Sequence, residues 1–273
     1  RPTLADVTPR HTAREEDEAI DAVLGFDVLV EQVGGIDAPE ADGALVHGQP
    51  LAITEGQIVG HLRAHTHHDT ALARQQTAAI APQHPRIQAA LADLAQVLER
   101  AGVALGQVRY VDVVAPKLVI AHDGGADAEV SQLMASAHDL PQGINVFLVD
   151  QLYLAGSLPS IAPVRGLAGG IPGPVRTAQG VRAGVVLSLE LGPGEPDRLG
   201  VALAHEIGHY LGLFHTSEAK PADDGQPVLD PLGDTPAEAP TNLMYWTAPD
   251  AADAVLSPQQ VQVLYASPWL RGP

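Results

Sequence analysis

The segment His205-Glu206-Ile207-Gly208-His209-Tyr210-Leu211-Gly212-Leu213-Phe214-His215 sets three imidazoles and one carboxylate at spacings that suit a single metal ion. Residues four apart share a helix face, so His205 and His209 can present both rings to one ion, while Glu206 sits beside it without ligating. A catalytic zinc takes three protein ligands and keeps one position open. The third ligand, His215, can return to the metal only through a sharp turn. Gly212 can supply that turn, because glycine takes the left-handed conformation that ends a helix. One tetrahedral corner then remains for water, whose pKa falls from about 15.7 toward about 7 on such a zinc. Glu206 as general base takes its proton and passes it to the leaving amine of a peptide whose carbonyl the same ion polarises. The chemistry such a set supports is amide hydrolysis without a covalent intermediate.

The surrounding pattern predicts elements able to position these groups. Asp197 to Leu211 reads as a helix ended by Gly212. Upstream, Ile87, Leu91, Leu94, Leu98 and Ala101 fall on one helical face closed by Gly102, and strands are predicted over 107–114, 144–149 and 181–189, with a short helix over 127–138. The Gly- and Pro-rich stretch 166–180 reads as a connecting loop beside the cleft; it lacks the Lys and Ser/Thr of a phosphate cradle. Ser257, Pro258 and Gln260 give a cap, a first-turn proline and a capping-box partner for a last helix to about Ala266. Residues 1–81 are the least readable: 15–24 could be a helix, 26–33 alternates like a strand, and 37–54 reads as loop. The chain thus divides into an N-terminal region of uncertain fold (1–81), a candidate pro-segment or accessory region, and a zinc peptidase domain (82–273).

Composition narrows the partners. Fifteen Lys plus Arg against 33 Asp plus Glu give a net charge of −18, which repels phosphate backbones and anionic lipid, so nucleic acid is excluded as an expected partner and a protein or peptide substrate is left. The chain has no cysteine, so no disulfide or thiolate site can form and any metal falls to His and carboxylate. No apolar run approaches the roughly 18 residues of a membrane span. The chain starts at Arg1 without a basic-then-apolar leader; we read it as a monomeric, secreted protein whose export signal is not in this sequence.

The run from His205 to His215 resembles the extended zinc signature of the metzincin metallopeptidases, and Asn242-Leu243-Met244-Tyr245 resembles their methionine-containing turn, with Met244 as the apolar floor beneath the zinc. Thr216, the stretch Gly233-Asp234-Thr235-Pro236 and Asn242 are most similar to the pappalysin group. Over roughly 82–273 the resemblance implies an α/β (α+β) catalytic domain: a twisted mixed sheet with two long helices above a horizontal cleft, an active-site helix, and an irregular lower subdomain ending in a helix. Two departures stand out. The group has cysteines in its lower subdomain where this chain has none, and it commonly has Tyr two residues after the Met, where this chain has Trp246. Tyr245 is the candidate left for supporting the transition state.

Asp223, Asp224, Asp230 and Asp234 lie in a Gly- and Pro-containing loop of the kind hard cations favour, and relatives in the pappalysin group can bind calcium nearby; a solvated acidic loop is the other reading. His61, His65, His67 and His68 form a second cluster, read either as chance exposure or as a metal or pro-segment site. A non-cleaving, zinc-stabilised binding or adhesion module on the same scaffold is the rival to the peptidase. The intact Glu206 argues against it, since loss of the base is the usual mark of that change.

Overall fold

The computed structural model describes residues 22–28, 80–114, 119–122, 129–136, 143–154, 164–174, 182–189, 196–222, 224–247 and 249–270. The cluster His61, His65, His67 and His68 and the carboxylate of Asp223 lie outside them.

The described residues form an α/β domain around a five-stranded mixed sheet. Its strands are β1 (Ala22–Val28), β2 (Val108–Val114), β4 (Ile144–Val149), β6 (Gly166–Ala168) and β7 (Val185–Ser188), in the spatial order β2-β1-β4-β7-β6. β4 and β7 run parallel, β1 is antiparallel to both β2 and β4, and β6 is antiparallel to β7 at the edge. A separate parallel pair joins β3 (Val119–His122) to β5 (Gln151–Leu154).

β4 is buried at every position, so its sequence does not alternate and is apolar except for Asn145, whose Nδ2 donates to the Ala183 carbonyl at 3.0 Å. Its alternate side chains still feed two cores. Ile144, Val146 and Leu148 face a cluster with Val185 and Leu187, the buried face of helix α1 (Pro85–Arg100) and helix α3 (Leu199–Leu211). Phe147 and Val149 face the other side, with Val186, Val111, Val113, and Leu133 and Met134 of the short helix α2 (Glu129–Ala135).

α3 is buried along its whole length. A helix apolar all round belongs in a core, and this one lies between α1, the sheet edge and the loops that follow it. Helix α4 (Pro258–Ala266) opens with the capping box of Ser257 and Gln260 expected from the sequence. Tyr265 on α4 donates to the Ala101 carbonyl at 2.8 Å, tying α4 to the end of α1.

Four sequence expectations are revised. Residues 22–24, read as the end of a helix, are strand: their backbone pairs in register with 112–114, and the ladder overrides local propensity. Gly166–Ala168, read as loop, is the edge strand β6, too short to carry an alternating pattern. β7 begins at Val185, four residues later than the pattern suggested. α3 begins at Leu199, with Asp197 outside the helix accepting the Leu199 N–H through Oδ1 at 3.2 Å.

Candidate metal centre

His205 and His209 lie one turn apart on α3, and the chain reverses immediately after it. Gly212 has φ 116° and ψ 6°, the left-handed conformation that glycine adopts without a Cβ penalty. The Leu213 N–H then donates back to the Gly208 carbonyl at 2.9 Å, closing the helix in a Schellman turn. That reversal brings His215 under the helix. Its Nε2 lies 3.1 Å from the Nε2 of His205 and 3.1 Å from that of His209. Three nitrogens bound tetrahedrally at about 2.0–2.1 Å would stand roughly 3.3 Å apart, so the two distances from His215 are within a few tenths of an ångström of a zinc tripod, and all three ligand atoms lie within 4.8 Å of one another.

The other ring nitrogens decide what this triangle is. His205 Nδ1 faces the Leu243 carbonyl at 2.6 Å, His209 Nδ1 faces the Leu213 carbonyl at 2.7 Å, and His215 Nδ1 faces Glu218 Oε1 at 3.1 Å. Carbonyl and carboxylate oxygens only accept, so each Nδ1 must carry the proton and each Nε2 presents a bare lone pair. Burial pushes the pKa of His205 down to about 4, with His215 adding to the effect and the Leu243 carbonyl opposing it. Burial, then the neighbouring His205, pushes His209 down to about 3. Both rings are therefore neutral near pH 7. Lone pairs converging within hydrogen-bond distance repel one another unless a proton or a metal cation sits between them. The cluster is thus a buried three-histidine site able to coordinate a metal ion, and among the described residues it is the one group of three or more His or acidic side chains that converges in this way.

Glu206 follows His205 on α3 and is 8% exposed. Burial raises its carboxyl to about 8, while the Ala168 N–H of β6 donates to it and works the other way. β6 reaches this close because residue 166 is glycine: a Cβ there would lie 2.5 Å from Glu206 Cγ and 2.8 Å from Oε1. The loop after β6 also presses on α3. Gly173 donates to the Tyr210 carbonyl at 2.8 Å and Tyr210 returns a hydrogen bond to the Pro174 carbonyl at 3.0 Å, so this stretch is a wall of the site and not merely a connection.

Beneath the histidines lies the turn containing Met244, which is fully buried. Asn242 Oδ1 accepts the Met244 N–H at 2.8 Å, and the Met244 carbonyl accepts the Thr216 N–H at 2.9 Å, binding the turn to the segment that carries His215. The Tyr245 hydroxyl donates to Glu238 at 3.4 Å, and its ring lies 5.8 Å from that of Trp246.

Among the described residues the acidic loop brings no three of its carboxylates together. Asp224 accepts the Gln226 N–H, Asp230 accepts the Leu232 N–H and the Thr235 hydroxyl, and Asp234 accepts Ser257 Oγ and the Gln259 N–H at the start of α4. Each carboxylate gives at least one oxygen to its own turn or cap, while Asp230 Oδ2 is buried and accepts no hydrogen bond.

Several functional groups escaped the sequence reading. The Leu213 and Leu243 carbonyls and the Ala168 N–H are backbone atoms, without any side-chain signal. Glu218 was legible in principle as the carboxylate three residues past His215. No protein-family model matches this chain, and a search of curated proteins finds no relative.

Proposed function

We propose that the chain is a secreted zinc-dependent endopeptidase of metzincin type, most like the pappalysin group, with His205, His209 and His215 as zinc ligands and Glu206 as general base. The observation that carries the reading is the convergence of three Nε2 lone pairs, each tautomer set by an acceptor behind it, beside a buried carboxyl group. Three neutral nitrogen donors suit zinc better than calcium or magnesium, which favour oxygen. When bound, zinc supplies a Lewis acid that polarises a peptide carbonyl and acidifies water.

The remaining work falls to the chain's own residues. Glu206 is held by α3 on one side and by the Ala168 N–H on the other, so its carboxylate is fixed in direction. A nearby cation favours its ionised form against the burial that raises its pKa. It takes a proton from the attacking water and delivers it to the leaving nitrogen. Met244 gives the three rings an apolar floor, and Tyr245 is the hydroxyl nearest in sequence that could steady the tetrahedral intermediate once released from Glu238. In this reading residues 82–273 are the peptidase domain, to whose sheet the N-terminal region contributes β1.

The test is cleavage of casein or gelatin by the purified chain. Activity should be stopped by o-phenanthroline and abolished by Glu206→Ala with zinc still near one per chain. Cleavage that survives Glu206→Ala removes Glu206 from its role; a chain that binds zinc and cleaves nothing is the non-cleaving module.

A further inference from the structure

The three ligand histidines differ in what holds their Nδ1 acceptors. Leu213 is fixed by the Schellman turn of α3 itself, and Glu218 lies three residues from His215. The acceptor of His205 is the Leu243 carbonyl, 38 residues away on a different segment of the chain.

Leu243 is clamped from both sides. Its own N–H donates to Val255 at 2.7 Å, and the next N–H, of Met244, donates to Asn242 Oδ1 at 2.8 Å. Asn242 is in turn locked into a reciprocal pair with Gln260: its Nδ2 donates to Gln260 Oε1 at 2.8 Å, and Gln260 Nε2 donates to Asn242 Oδ1 at 3.2 Å. Gln260 is completely buried and Asn242 is 6% exposed. Gln260 Oε1 also accepts the Ser257 N–H at 2.9 Å, so one side chain closes the N-terminal capping box of α4 and grips the turn beneath the metal. Two carboxamides buried together are costly unless every group is paired, and paired they specify a single geometry.

We propose that Gln260 is a positioning residue for the metal centre: through Asn242 it fixes the Leu243 carbonyl that orients His205, so the Gln260–Asn242 pair tunes metal affinity. The proposal rests on the metal-site reading above but not on peptide cleavage.

The experiment measures the zinc dissociation constant of the full chain by competition with a chromophoric chelator, alongside the unfolding midpoint of the metal-free protein. Removing the partner that orients a ligand histidine weakens metal binding by about 10–100-fold. Gln260→Ala and Asn242→Ala should each show a loss in that range, and the double variant should bind no more weakly than the poorer single one. Ser257→Ala, which removes only the capping hydroxyl, should lower the unfolding midpoint and leave zinc affinity within twofold. Should Gln260→Ala fail to fold, Gln260→Glu keeps the shape and the accepting Oε1 and loses the donor to Asn242; it should weaken zinc by about tenfold. The proposal is overturned if the Gln260 and Asn242 variants melt earlier yet bind zinc like the wild type, or if their losses simply add. It stands if zinc affinity shifts as described in a chain that cleaves no peptide. A wild-type chain that binds no zinc overturns both readings.

Discussion

Gly208 on α3 lies directly against the sulfur of Met244: a Cβ at residue 208 would stand 2.6 Å from Met244 Sδ. The glycine between the two helical ligands is therefore what lets the methionine turn approach α3 closely enough for Leu243 to reach His205. Gly208→Ala must push Met244 or the helix aside, and overpacking of this kind costs about 1–3 kcal/mol. Urea unfolding should show that loss, and trimming the sulfur with Met244→Ala in the same chain should give a double variant less destabilised than the sum of the two. Strict additivity would mean that the contact does not bind the two residues together.

Gly166→Ala should separate catalysis from metal binding. The added methyl enters the space of Glu206, whose Cγ, Oε1 and Cδ are its nearest neighbours. A displaced general base loses about 10²–10⁴-fold in rate. kcat/KM for a peptide substrate should fall by at least about a hundredfold while zinc stays near one per chain. Loss of zinc with activity would place the damage at the ligands instead.

Glu218 stands behind the most exposed ligand. Its side chain is 48% exposed and that of His215 25%, so their contact is partly screened. Glu218→Gln removes the charge behind His215 Nδ1 and should weaken zinc by about tenfold, the lower end of the range for such partners. Raising the salt concentration should shrink the difference from wild type, which the same chelator competition can read. An undiminished gap at high salt would argue against a charge effect.

The metal-free fold should be most stable near pH 6.5. His205 and His209 have folded pKa values of about 4 and about 3 against an ordinary 6.5, so the unfolded chain binds more protons and stability drains away as pH falls from 6.5 toward those values. Glu206, raised from 4.5 to about 8, works in the opposite sense: its contribution is full below 4.5 and is lost as pH rises to about 8. Between 4.5 and 6.5 the two histidines outweigh the one carboxyl, and above 6.5 the carboxyl acts alone. Urea midpoints of the metal-free chain across this range should rise and then fall, and Glu206→Gln should flatten the alkaline limb. A midpoint that keeps climbing above pH 7 in the wild type would contradict this.

The site was legible where function rides on side-chain spacing. The four-residue step on α3, the glycine turn and the terminal capping box are local, and the structure forms each where the pattern put it. What the sequence could not convey is pairing at a distance. Ala22–Leu24 carries no signal that it will lie beside 112–114, and Gly166–Ala168 becomes strand because β7 offers it an edge. The acidic loop is legible only in part for the same reason: Asp230 and Asp234 each accept a hydroxyl that folding brings to them from a distance, which no local pattern announces.

The unequal exposure of the three ligands has a kinetic consequence. Among the described residues His205 and His209 are sealed at 6% and 7% exposure, so His215 is the ligand that an extracting agent meets first. Extraction should then begin with detachment of that single ring, and its rate should level off as the extracting agent is made more concentrated. The residence time of the ion is in this way set by the short hinge from Gly212 to His215, a different part of the chain from the one that sets how tightly it is held.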